Sequence, residues 1–174
     1  MSRVRAFFAA WPPPAWCHAL RLAVPSASAT ARALPDEDLH VTLRFLGGTE
    51  PGQLEAVGAA AARLRWQPFV LRFARVEWWR EAQVLAAVAP AIPPAATELV
   101  RGLGAAAREA GIEGDPKPFH PHMTLARRVR AAPGRMPELT LDLSVQEFCL
   151  AASDTRAAGA RYTVLQRWAA ARAF

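Results

Sequence analysis

Residues 40–47 read HVTLRFLG and residues 122–127 read HMTLAR. Two of the four histidines in the chain thus stand before the same x-Thr-Leu sequence. On a strand, residues two apart point the same way. Strict alternation therefore places His40, Thr42 and Arg44 on one face and Val41, Leu43 and Phe45 on the other. It likewise places His122 and Thr124 opposite Met123 and Leu125, with Arg127 pointing away from His122. A lone strand histidine is more often a structural hydrogen-bonder than a catalyst, and a lone strand threonine reflects ordinary β-propensity. The recurrence of the whole setting changes this reading, because packing alone does not require it. The apolar faces are expected to anchor two strands to a core and the polar faces to line a cleft.

Working outward, Leu39–Leu46 reads as a strand, preceded by acidic turn residues and closed by Gly47–Gly48. Pro51–Arg65 changes to helical period, with Leu54, Val57, Ala61 and Leu64 on one stripe. Phe69, Leu71 and Phe73 alternate as a strand, and Val84–Val88 is its expected partner. Thr97–Ala110 is the second predicted helix, closed by Gly111. Val4–Ala9 is the first predicted strand, ended by three prolines, with another around Leu20–Val24. The second half supplies strands at His122–Val129, Leu141–Leu150 and Tyr162–Trp168. The alternation of Leu141, Leu143 and Val145 slips phase at Phe148 and Leu150, which suggests a bulge. Strand, helix and paired strands occur twice, so the expected fold is α+β: one domain over residues 1–174, duplicated into two interleaved lobes with mainly antiparallel sheets around a central groove. A parallel dinucleotide-binding fold is the competitor. It lacks Gly-x-Gly-x-x-Gly between strand and helix, and the GLG at 102–104 falls inside a predicted helix.

At 174 residues the chain can bury a substantial core. Its apolar stretches are interrupted well before 18 residues, which argues against a membrane span. The opening MSRVRAFFAAWPPPAW develops no leader-like core before the prolines and is read as mature protein. Cys17 and Cys149 belong to no Cys-x-x-Cys pair and read as buried free thiols in a reducing, cytoplasmic setting. His120 and His122 are close, but no carboxylate or cysteine completes a metal-ligand spacing, so neither metal nor cofactor is expected. Lys and Arg number 21 against 15 Asp and Glu, giving a net charge of +6 that favours encounter with a polyanion or phosphate ester.

Two imidazoles and two hydroxyls converging on one volume suit a phosphodiester. One neutral imidazole can accept a proton from an attacking water while the other, protonated, donates to the departing oxygen. The hydroxyls of Thr42 and Thr124 can donate to the non-bridging oxygens as charge builds there.

The chain resembles the 2H phosphoesterases, specifically the bacterial and archaeal RNA 2′,3′-cyclic phosphodiesterases also called 2′-5′ RNA ligase-like proteins. The resemblance rests on RAFFA at 5–9, LHVTLRFLG at 39–47, FHPHMTLAR at 119–127 and FCLAASDTRAAGARYTVLQRW at 148–168. It implies a pseudo-twofold α+β fold with the two His-x-Thr motifs facing each other across a groove. It also implies that cyclic phosphate ends of RNA are opened to 2′-phosphates. By the same resemblance His40 is the general acid toward the ribose 3′ oxygen, His122 is the base for water, and Thr42 and Thr124 hold the phosphate. Ligation or cleavage of 2′-5′ linkages, or action on small cyclic nucleotides, is the enzymatic alternative. A non-enzymatic RNA-binding module is the other class. The partner is an RNA or oligonucleotide with a cyclic phosphate end, and a monomer without an obligate protein partner is expected.

Secondary positions follow from alternation. Arg44 is open between a phosphate contact and a solvated strand residue. Arg127 matches the arginine that closes the second motif in relatives, which requires a bend in the strand or a role at the rim. Phe45 matches the aromatic of the first motif in relatives, but alternation favours core packing over base stacking. Trp78 and Trp79 are divided between a rim for a nucleobase and ordinary packing, and His120 is assigned to the entrance turn. Ser153 reads as a capping residue of a turn.

Overall fold

The computed structural model describes residues 3–23, 31–113, 117–154 and 161–170. In chain order the elements are β1 (Val4–Ala10), α1 (Pro14–Ala23), β2 (Arg32–Ala33), a short 3₁₀ turn (Asp36–Asp38), β3 (Val41–Thr49), α2 (Pro51–Ala62), β4 (Phe69–Trp79), β5 (Val84–Val88), α3 (Pro94–Glu109), β6 (His122–Arg127), β7 (Glu138–Val145), β8 (Glu147–Asp154) and β9 (Arg161–Ala169). Every strand pairing is antiparallel.

The strands run in the order β7-β4-β5-β6-β3-β1-β8-β9, with β2 beside β6. From the centre outward the two halves correspond: β6-β5-β4-β7 on one side, β3-β1-β8-β9 on the other. Each half contains a strand-helix-strand unit, β5-α3-β6 or β1-α1-β3. The halves join through one backbone pair, Val41 opposite Met123. This is the expected α+β duplication, built around the two motif strands.

The helices cross between halves. Trp16 of α1 packs edge-on against Phe73 of β4, ring centroids 5.2 Å apart, and its indole N–H donates to the Asp142 carbonyl of β7 at 3.1 Å. α3 lies against α2 and β3. One face of the sheet and all three helices thus enclose the main core, which includes Phe8, Leu20, Val41, Phe73, Leu103, Met123 and Phe148. Two small apolar clusters occupy the opposite face: Phe7, Ala9 and Ala151 in one half, Val84, Ala86 and Val88 in the other.

Three sequence expectations require correction. The strand expected around Leu20–Val24 is the end of α1, and Val24 lies outside the described residues. Proline is tolerated in a first helical turn, where no intrahelical N–H is needed, so Pro14, last of the prolines expected only to end the first strand, starts a helix. Trp16, Cys17 and Leu20 then share its buried side. The expected strand Leu141–Leu150 is two strands, β7 and β8, separated at Gln146. The phase slip is therefore a crossing from one half to the other. Finally, β4 extends to Trp79, well beyond the alternating Phe69–Ala74 stretch. α2 begins as expected at Pro51, where Glu50 and Gln53 cap each other reciprocally. Among the described residues no helix is long and apolar enough to cross a membrane.

Candidate active site

The seam positions the motif. Val41 and Met123 point into the core, both fully buried, so their neighbours on each strand face the other way. Extending the Val41–Met123 register by one residue each way sets His40 across from Thr124 and Thr42 across from His122. The two motifs therefore meet at the seam on the face that the helices leave uncovered, and Thr42 lines a cavity with each histidine.

The two histidines are fixed alike. His40 Nδ1 lies 2.7 Å from the Asp38 carbonyl, and His122 Nδ1 lies 2.7 Å from the His120 carbonyl. A carbonyl only accepts, so each Nδ1 carries a hydrogen and each neutral ring has a bare Nε2. His40 is walled by aromatic rings: Trp11 is stacked with centroids 5.1 Å apart, Tyr162 is edge-on at 4.7 Å, and Phe7 lies at 5.1 Å. The Trp11 indole N–H is anchored on the Glu37 carbonyl at 2.9 Å. His122 meets Trp79 edge-on at 4.6 Å, with the His120 ring 6.2 Å away.

Burial pushes the His40 pKa down to about 4, against the hydrogen bond to the Asp38 carbonyl and assisted by the positive charge of Arg127 and His122. His122 is also held below the ordinary histidine value, chiefly by burial, with His120 and Arg127 adding to the effect. Both imidazoles are therefore neutral near pH 7 in the free protein. An anion between them opposes these effects and favours the protonated form.

Strict alternation fails after each threonine, and one local feature places Arg44 and Phe45 against it and supplies the strand bend left open for Arg127. Phe8 of β1 faces Arg44, whereas Ala9 faces Thr42, so Leu43 is an extra residue. On β6, Leu85 faces Ala126 and Ala86 faces Thr124, so Leu125 is extra. Each motif strand thus carries a β-bulge immediately after its threonine, and side-chain parity reverses there. Arg44, opposite the core residue Phe8, turns toward the helices and leaves the face that carries the histidines. Phe45, opposite Phe7, joins the groove-side cluster and carries the guanidinium carbon of Arg5 4.8 Å above its ring. Arg127, opposite Val84, returns to the groove face, where its charge acts on both histidines.

Two cavities meet at this centre. One, of about 300 Å³, is lined by His40, Thr42, Phe45, Arg127, Ser153 and Tyr162 among others. The other, of about 340 Å³, is lined by Thr42, Arg44, Trp79, Lys117, His120 and His122 among others. Trp79 is at the rim, but Trp78 is not: its indole N–H donates to the Val129 carbonyl and its ring packs on the core. His120 both supplies the carbonyl for His122 and lines the cavity. Ser153 lies in a strand opposite Arg5, not in a capping turn. Sequence reasoning missed Phe7, Trp11 and Tyr162; RAFFA and the final strand were recognised only as parts of a familiar pattern. Among the described residues no group of three or more His, Cys, Asp or Glu is placed to hold a metal ion. The groups brought together here can offer proton transfer at two bare Nε2 atoms, beside the positive charge of Arg127.

The chain matches the family described as the 2′-5′ RNA ligase superfamily over residues 11–156. It is 32% identical over 139 residues to an RNA 2′,3′-cyclic phosphodiesterase of Escherichia coli (strain K12), covering 79% of each chain. It is 34% identical over 148 residues to a protein of the same name from Thermus thermophilus, covering 79% of this chain and 74% of that one. The structure of E. coli LigT complexed with 3′-AMP superposes with a TM-score of 0.84 at 29% identity, covering 98% of this chain and 99% of that one.

Proposed function

The chain belongs to the 2′-5′ RNA ligase superfamily, and from that premise we propose that it opens RNA 2′,3′-cyclic phosphate ends to 2′-phosphates by metal-independent general acid–base catalysis. The meeting of the two motifs at the Val41–Met123 seam, with Thr42 lining a cavity with each histidine, carries this reading. Water gives a proton to His122 Nε2 as its oxygen attacks phosphorus. The bond from phosphorus to the ribose 3′ oxygen breaks, and that oxygen takes a proton from His40 Nε2. The products are a 2′-phosphate and a 3′-hydroxyl, and the cycle closes when the proton on His122 is lost to solvent and His40 is reprotonated. Thr42, Thr124 and Arg127 donate to the non-bridging oxygens, where charge grows in the transition state.

Phe45, which lines both cavities, offers the base a surface. The E. coli relative's complex with 3′-AMP supports a nucleotide ligand. The acting unit is the whole chain as one domain, since each lobe borrows a helix or strands from across the fold. Free thiols at Cys17 and Cys149 support a cytoplasmic site of action.

The test is incubation with an oligonucleotide ending in a 2′,3′-cyclic phosphate, in the presence of chelator, with separation of the terminal phosphate isomers. Accumulation of the 2′-phosphate is expected. Absence of any product between pH 5 and 9 refutes the reading, and exclusive turnover of 2′-5′ linkages replaces it with the ligase-type alternative.

A further inference from the structure

Arg44 is the motif-strand residue that the catalytic centre does not use. The bulge at Leu43 turns it toward α3, where it lines the 340 Å³ cavity together with Lys117. Its Nε is buried and makes no hydrogen bond to any described residue, and a buried donor is costly to leave unpaired. A methyl group placed on Gly104 would lie 3.7 Å from the Arg44 guanidinium carbon and 3.7 Å from a guanidinium nitrogen of Arg108, so two cations approach the same point of α3. Among the described residues neither guanidinium has a carboxylate within ion-pair distance, whereas Arg21, Arg63 and Arg75 each have one. Two like charges brought together beside an unsatisfied donor form a locus that an anion would relieve.

The same cavity reaches Thr42 and His122. It therefore runs from the reacting phosphate to a basic end. A terminal nucleotide in an RNA chain carries two phosphates on one ribose, the cyclic one at its 2′ and 3′ oxygens and the one at its 5′ oxygen. We propose that Arg44 forms a second anion subsite that takes the 5′-phosphate of the nucleotide whose cyclic phosphate lies between His40 and His122. This subsite rests on the function proposed above and makes the protein a reader of chain ends in preference to free nucleosides bearing a cyclic phosphate.

The probes differ by one group: adenosine 2′,3′-cyclic phosphate and its 5′-phosphorylated form. The wild type is expected to show a KM about tenfold lower for the 5′-phosphorylated compound, the gain from one added charge-assisted contact. In Arg44→Gln the ratio of the two KM values is expected to fall to near one. KM does not depend on the fraction of protein that is folded, and the ratio cancels any general effect of the substitution on the groove. A wild-type ratio near one, or a ratio unchanged in Arg44→Gln, overturns the subsite. Calorimetry provides an arm independent of turnover, comparing adenosine 3′,5′-bisphosphate with 3′-AMP in both proteins. If the wild type hydrolyses neither cyclic compound, the oligonucleotide assay above decides the proposed function, and this arm decides the subsite alone. A bisphosphate advantage that disappears in Arg44→Gln supports it, and no advantage in the wild type overturns it.

Discussion

His40 and His122 each donate from Nδ1 to the carbonyl two residues back, which leaves both Nε2 atoms to the groove. If each performs one proton transfer, His40→Ala and His122→Ala each lower kcat by about 10²–10⁴-fold, and the double variant loses far less than the product of the two. A substrate with an activated leaving group separates the roles, because it needs little protonation. It should partly restore turnover in the His40 variant and leave the His122 variant impaired; equal rescue of both contradicts the assignment. The pH dependence follows from burial. kcat/KM reports the free protein, in which both pKa values lie below the usual 6.5 and that of His40 is near 4. The active form holds one proton on the pair, so the kcat/KM maximum falls below pH 6.5. The kcat profile lies higher, since bound phosphate raises both values, and a kcat/KM optimum above pH 7.5 contradicts this account. The motif histidines and threonines were legible because their setting is repeated in the sequence. Trp11, Phe7 and Tyr162 were not, because the wall around His40 is assembled from β1, the residue after it and β9, and no local spacing links them.

The paired bulges separate what a strand's sequence shows from what its side chains do. Alternation is read along one chain, whereas a bulge is defined against the neighbouring strand, so the inversion after Thr42 and Thr124 could not be read from either motif alone. It can be tested through Phe45. If Phe45 faced the core, Phe45→Ala would cost about 3–5 kcal/mol of stability. With the ring in the groove beside Phe7 and under Arg5, the expected outcome is a small shift in the urea midpoint and a clearly raised KM for a cyclic nucleotide. A large stability loss with KM unchanged would restore the unbulged strand. Helix α1 was hidden for a different reason: its proline start resembles a turn, and its buried side comprises only Trp16, Cys17 and Leu20. The longer stripes of the other two predicted helices made those readable.

Across the whole molecule, a duplication with interleaved lobes was legible, but which half each helix covers was not, because nothing in a helix sequence states which sheet it will cover. Trp16 ties α1, which follows β1, to β4 and β7 in the opposite half. Trp16→Ala should therefore cost about 3–5 kcal/mol. It should lower a single unfolding transition in which far-ultraviolet and near-ultraviolet signals remain coincident; two separated transitions would mean that the halves are independent. The passage from β7 to β8 through Gln146 alone extends the same point to synthesis. A ribosome releases the strands of one half, β4 to β7, as a continuous stretch, with α1 already made to cover them. β1, the first strand to emerge, waits for β8, among the last, to occupy its open edge. The half that begins first is therefore completed last, and a nascent chain halted after Val145 would already hold both motif histidines while presenting β1 as an unpaired edge to any chaperone in reach.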